Sequence, residues 1–244
     1  MCWTISRVHP DLEYALSLAD DADELSLCRY RALDLVVETK TDFTPVTEAD
    51  RAIEQSLRAR IADERGEAVA GEEFGVEEGE TRWWVDPIDG TKQYARGLPV
   101  WATLIALEEH RETTVAVVSA PALGHRWWAT RGGGAFCDGL PVNVSSVERL
   151  EDAYVSTTSL REPRFAPIAE RAFVARTYTD FWQHVLVAEG RIEAGFEPSL
   201  NVWDWIAPKL IVEEAGGRFA AEPGCYLSSN AALHDELRTL LLPA

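Results

Sequence analysis

Methionine occurs once in 244 residues, and cysteine and histidine are scarce, at four and five. Cys2, Cys28, Cys137 and Cys225 lie far apart with no C-x-x-C pair, so they read as reduced, isolated thiols rather than a disulfide framework or thiolate metal site. His9, His110, His125, His184 and His234 show no ligand spacing, and each reads as a surface or packing histidine. No segment approaches the roughly 18 apolar residues of a membrane span, and the N-terminus lacks a basic stretch followed by an apolar run. A soluble, cytoplasmic protein is expected. Basic residues are also few, 23 against 41 acids, giving a formal charge of −18. Such a surface repels nucleic acid and anionic membrane, which excludes both as partners. It also repels an anionic substrate unless cations are recruited.

Apolar residues make up 46% of the chain and nine tryptophans are spread along it, enough for a substantial core. The length fits one large domain or two closely packed subdomains. Leu12, Ala15, Leu16, Ala19 and Ala22 recur at three- and four-residue steps, predicting a helix from His9 to about Asp34 with Pro10 in its first turn. Ala49, Ile53, Leu57 and Ile61 predict a second helix over Glu48 to Arg65. Strands are expected at Ala68–Ala70, Trp83–Val85, Val100–Leu107 and Thr114–Ser119, before a glycine-rich turn region, Arg131–Leu140, and a short run, Pro141–Val144. Alternation follows: strands near Tyr154–Ser156, Ile192–Phe196 and Arg218–Ala220, with helices near Phe165–Phe173, Asp180–Glu189 and Trp203–Ala215. The expected architecture is an α+β half (1–144) and an α/β half (145–244), stacked as a layered sandwich.

Asp86-Pro87-Ile88-Asp89-Gly90-Thr91 follows a predicted strand. Two carboxylates leave the strand end together, and free N–H groups after the Gly90 turn suit an anion if a helix starts at Thr91. The same residue types also make ordinary turns. Glu72 follows another predicted strand, and Asp204 stands where a helix opens. If Glu72, Asp86, Asp89 and Asp204 converge, each close pair repels by about 4 kcal/mol at ~4 Å and an effective dielectric near 20. Several such pairs rival a fold stability of roughly 5–15 kcal/mol, so bound Mg²⁺ or Mn²⁺ would be needed to offset them. Spacing alone does not show convergence. Thr47-Glu48-Ala49-Asp50 matches a capping box. Asp204 and Asp180 also have readings as helix N-caps, with Pro208 near the first turn, and Lys40 has one as a solvated lysine.

Together these residues resemble the inositol monophosphatase family. The matching pieces are Lys40-x-Asp42-x-x-Pro45-Val46-Thr47-x-x-Asp50, Gly71-Glu72-Glu73, Asp86 to Thr91, Trp203-Asp204 with Ile211 to Gly217, and Gly133 to Gly139 with Val144-Ser145. The resemblance implies that Glu72, Asp86, Asp89, Asp204 and the Ile88 carbonyl ligate up to three Mg²⁺. It implies that Thr91 and Asp50 orient and deprotonate the attacking water, that the Gly90 and Thr91 amides hold phosphate, and that Lys40 lies near the metal-bound solvent. A homodimer is implied as well. Gly71 to Gly75, Thr91-Lys92, Arg96 to Leu107, Arg176-x-x-x-Asp180 and Glu197-Pro198 are similar to the histidinol-phosphate phosphatases of this superfamily. Arg176, Asp180 and Glu197 are thereby implied on the substrate side. Gln93-Tyr94 and Trp205-Ile206 depart from that group and are expected to reshape its pocket. An inositol-1-phosphate or broad sugar-phosphate phosphatase, and an inactive binding or regulatory homologue, stay open as alternatives. The D-x-D pattern of haloacid dehalogenases is absent, since Asp86 and Asp89 are spaced D-x-x-D.

Overall fold

In a computed structural model, which describes residues 9–41, 43–159 and 161–242, Pro10 opens helix α1, Pro10–Arg29. The helix ends before Asp34 because Tyr30 turns away, packing on Tyr94 and Trp101 and donating its hydroxyl to the Gly97 carbonyl at 2.8 Å. A hairpin of β1, Val37–Thr39, and β2, Pro45–Thr47, leads into α2, Glu48–Glu64. Thr47 and Asp50 form the expected capping box. Asp42 and Cys2 fall outside the described residues.

The next segment forms β3, Ala68–Gly71; β4, Gly75–Val76; β5, Thr81–Asp89; helix α3, Thr91–Ala95; β6, Ala102–Glu109; β7, Glu112–Ala120; β8, His125–Thr130; β9, Gly134–Cys137; and β10, Leu140–Val142. They pair in the order β10-β9-β8-β7-β6-β5-β3-β4. Only the β3–β5 pair within it is parallel. The chain continues through β11, Tyr154–Thr157; α4, Ala166–Arg171; β12, Val174–Arg176; α5, Phe181–Ala188; β13, Ala194–Glu197; α6, Val202–Glu214; β14, Arg218–Glu222; β15, Cys225–Ser229; and α7, His234–Leu241. Its sheet runs β12-β11-β13-β15-β14, parallel on either side of β11 and antiparallel beyond β13.

Side-chain alternation along the first sheet builds the layers. Trp83, Val85, Ile105, Leu107, Val115 and Val117 face α1 and α2. Their neighbours Trp84, Leu104, Ala106, Ala116 and Val118 face α5 and α6, as a period of two requires. The α5–α6 layer packs on the second sheet, whose other face is covered by α4 and α7. The result is a layered sandwich, α-β-α-β-α. Val144 N–H donates to the Ala215 carbonyl at 3.0 Å, tying the link between the sheets to the end of α6. Among the described residues no helix is long and apolar enough to cross a membrane.

Strands β1, β2, β4, β8 and β15, helix α7 and the short parallel strand β12 were not expected from the sequence, and β9 stands where a glycine-rich turn region was expected. The single helix expected over Phe165–Phe173 is shorter and yields to β12, because Val174–Arg176 pair in register with Tyr154–Ser156. Cys28 is exposed, Cys137 half-buried and Cys225 buried, all as free thiols.

Candidate active site

The turn after β3 is held from beneath by Glu54 of α2, which is fully buried. Its carboxylate accepts from the Glu73 N–H at 2.7 Å and the Phe74 N–H at 3.2 Å, and pairs with Arg58 Nε at 2.8 Å. Gly71 makes room for it: a Cβ there would sit 2.3 Å from Glu54 Oε1. The turn thus presents Glu72 to a cavity of about 300 Å³. Lys40 Nζ bridges Glu72 and Glu73 at 2.7 and 2.6 Å. Burial works against its charge, but these two partners outweigh it and raise its pKa to about 12.

At the end of β5 the register with β6 slips between Asp86 and Asp89, a bulge of the kind that re-aims side chains beside active sites. The Ile88 N–H donates to Asp86 Oδ1 at 3.0 Å, and Thr103 Oγ1 donates to the Pro87 carbonyl at 2.8 Å. Gly90 adopts φ 87°, where a Cβ would also lie 3.0 Å from the Val100 carbonyl oxygen. Helix α3 begins at the next residue. Thr91 Oγ1 lies 3.0 Å from the Ile88 carbonyl oxygen and 3.2 Å from Asp50 Oδ1. The other Asp50 oxygen accepts from the Thr47 N–H at 2.8 Å and from the Thr47 hydroxyl. Burial raises Asp50 to about 6 in spite of those hydrogen bonds.

The opposite wall comes from the second half. Asp204 is not the N-cap of α6. Asn201 is, and Asp204 at the third helical position accepts the Asn201 N–H at 2.7 Å. Pro208 correspondingly lies inside the helix rather than in its first turn. Lacking an N–H, it leaves the Asp204 carbonyl without a helical donor. Asp180 precedes α5 but makes no side-chain cap. It holds φ 59° and ψ −152°, a region almost confined to glycine. Its Oδ2 instead accepts from the Gln93 amide and the Thr179 hydroxyl. The Phe181 N–H donates to Asp89 Oδ2. Glu197, at the end of β13, accepts from Gln183 Nε2 at 2.7 Å.

Glu72, Asp86, Asp89, Asp180, Glu197 and Asp204 all line this one cavity. Burial first, and then their mutual repulsion, pushes Asp86 and Asp89 well above the ordinary carboxylate range. Burial also lifts Asp204 to about 7 and Glu197 to about 8, with the neighbouring carboxylates adding to each. A set of buried oxygen donors that resists ionising alone matches a hard divalent cation, whose charge removes the repulsion.

Of the residues expected from the sequence, Glu72, Asp86, Ile88, Asp89, Gly90, Thr91, Asp180, Glu197 and Asp204 meet at the cavity, with Asp50 and Lys40 directly behind it. Arg176 does not join them. It ends the edge strand β12, is exposed, and lies over the Tyr154 ring. Of the departures expected to reshape the pocket, only Gln93 lines it. Tyr94 is buried and donates to the Ser26 carbonyl at 2.7 Å, Trp205 stacks on Phe219, and Ile206 sits in the core. His184, read from sequence as a surface or packing residue, lines the cavity. His125 is not isolated, since its Nδ1 lies 2.7 Å from Asp138 Oδ2.

A family model described as the inositol monophosphatase family matches residues 8–240. The chain is 46% identical to a histidinol-phosphatase of Mycobacterium tuberculosis, over 96% of this chain and 98% of that protein. A histidinol-phosphatase of Streptomyces coelicolor is also 46% identical, over 93% and 95%. Among solved structures, an IMPase from Thermotoga maritima superposes with a TM-score of 0.88 at 30% identity, covering 96% of this chain and 97% of that one. With its sequence matched over nearly the whole length and its layered fold shared, the chain belongs to the inositol monophosphatase family.

Proposed function

We propose that the protein is a magnesium-dependent phosphomonoesterase that hydrolyses L-histidinol phosphate to L-histidinol and inorganic phosphate. One observation carries the reading: a single cavity joins four carboxylates suited to a hard cation with the Thr91–Asp50 pair on one side and two further carboxylates on the other. The 46% identical histidinol-phosphatases support the choice of substrate.

In this reading Glu72, Asp86, Asp89, Asp204 and the Ile88 carbonyl hold up to three Mg²⁺, with Mn²⁺ an acceptable substitute. When bound, the metal supplies Lewis acidity toward the phosphoryl oxygens and a more acidic water. The Gly90 and Thr91 N–H groups at the start of α3 receive a phosphate oxygen. The Thr91 hydroxyl orients the attacking water and relays its proton toward Asp50. Asp50, raised to about 6 by burial, is ionised at neutral pH yet basic enough to serve. Lys40 fixes the direction of Glu72. Asp180 and Glu197 receive the cationic amine and imidazole of the leaving alcohol.

The halves 1–144 and 145–244 act here as two subdomains of one catalytic unit, the first supplying most metal ligands and the second Asp204 and the substrate wall. Family resemblance supports a homodimer, and the acidic surface fits a cytoplasmic enzyme of a small phosphate ester. A panel of histidinol phosphate, inositol 1-phosphate and glycerol 2-phosphate, assayed with Mg²⁺, tests the proposal. The highest kcat/KM is expected on histidinol phosphate, and a preference for inositol phosphate would reject the substrate.

A further inference from the structure

His184 is a buried titratable group of the cavity wall that the scheme above leaves unused. It lies in α5, is 1% exposed, and lines the cavity. Its Nδ1 is 2.8 Å from Ser228 Oγ, and the Ser228 hydroxyl donates to the Gly195 carbonyl at 3.3 Å. A hydroxyl has one proton to give. With that proton directed at Gly195, the Ser228 oxygen receives the Nδ1–H, and the lone pair of the ring resides on Nε2. Burial keeps the imidazole neutral, with a pKa lowered to about 3.

Nε2 has no hydrogen-bond partner among the described residues. It lies 4.0 Å from Oε1 of Glu197, which lines the same cavity. An unpartnered buried acceptor is unfavourable and uncommon in folded proteins, and a donor brought in by a ligand would relieve it. We infer that His184 Nε2 accepts a hydrogen bond from the protonated, nitrogen-bearing end of the substrate and helps to select it over a polyol. The inference rests on the proposed histidinol phosphate activity. Its chemistry is a matter of donor count and charge. An ammonium group brings three N–H donors, enough to satisfy Glu197 and Nε2 together, whereas a hydroxyl brings one. Hydrogen bonds from a charged donor are also the stronger class. His184 is a specificity residue in this account, with no part in the attack on phosphorus.

The test compares kcat/KM on histidinol phosphate with that on glycerol 2-phosphate, as a ratio, for the wild type, His184→Leu and His184→Gln. Leucine removes the acceptor at similar volume and is expected to lower the ratio by about 10- to 100-fold. Glutamine keeps an acceptor oxygen and is expected to restore most of it. A ratio unchanged in His184→Leu would overturn the inference while leaving the phosphatase reading intact. A wild type that prefers inositol phosphate would remove the substrate assignment and this inference with it. A second measurement needs no variant. In ¹⁵N NMR of the wild type, saturating L-histidinol should move the resonance of the unprotonated His184 nitrogen, and a resonance that stays in place would overturn the proposal.

Discussion

The backbone N–H of Phe181 donates to Asp89 Oδ2 at 2.5 Å, joining residues 92 apart in sequence. Through this bond the start of α5 positions a carboxylate that leaves the end of β5. The residue before Phe181 is the strained Asp180, whose own carboxylate is held by Gln93. The Asp89 and Asp180 carboxylates are therefore mechanically coupled.

That coupling separates charge from strain at Asp180. Asp180→Asn keeps the backbone strain and loses the charge, and should lower kcat/KM for histidinol phosphate about 10- to 100-fold relative to glycerol 2-phosphate. Asp180→Gly also loses the charge but relieves a strain worth about 1–3 kcal/mol, partly offset by the freedom glycine gains when unfolded. Its melting temperature should rise while its activity falls. Steady-state kinetics and thermal melts of both variants check this, and a lower melting temperature for the glycine variant would count against the strain.

Asp89→Asn should abolish turnover in Mg²⁺. In chelator it should melt no lower than wild type and could melt higher, since one repelling buried charge is gone. Substantial remaining activity would show that Asp89 is not a metal ligand.

Asp50 has both a cap and a catalytic geometry, and two variants divide them. Thr47→Ala removes the cap hydroxyl but leaves the Asp50–Thr91 contact, and should cost about 1 kcal/mol of stability with little loss of kcat. Asp50→Asn should cut kcat heavily, beyond what its loss of stability explains. If Asp50→Asn only lowered the melting temperature, capping would be its whole role.

The pH dependence of metal-free stability has a definite sign. Asp204 and Glu197, with folded values of about 7 and 8, bind protons in the folded state that the unfolded chain has released by about pH 4–5. Their contribution is fully present below that range and is lost as pH rises through 7 and 8. His184, lowered to about 3, and His234, lowered to about 4, act oppositely, adding stability up to about pH 6.5. Above that only the carboxylates titrate. Melts in chelator should therefore fall between about pH 6.5 and 8, and Mg²⁺ should flatten the decline. A metal-free melting temperature that rises over this interval would contradict the carboxylate shifts.

The site was legible where chemistry sits in short, unusual strings. Asp86 to Thr91, Glu72 after its strand, and Thr47 to Asp50 each reveal themselves locally, and the structure adds their convergence. Contacts between distant segments were not legible. Nothing in Gln93 announces a hydrogen bond to Asp180, and a histidine within the apolar helix α5 looks like any packing residue until its ring is seen in the cavity wall beside Ser228. Strand β8 was missed because its tryptophans sit among glycine-rich turns, although they pair with Val117 and Val118 of β7. Pro208 misled on Asp204, since proline inside a helix is disfavoured yet tolerated in α6, where it is buried against the core.

The most direct test of the central claim is kcat/KM on histidinol phosphate as Mg²⁺ is removed by excess chelator and then restored. The carboxylate cavity predicts that activity disappears with the chelator and returns with Mg²⁺. Full activity in excess chelator would contradict the account.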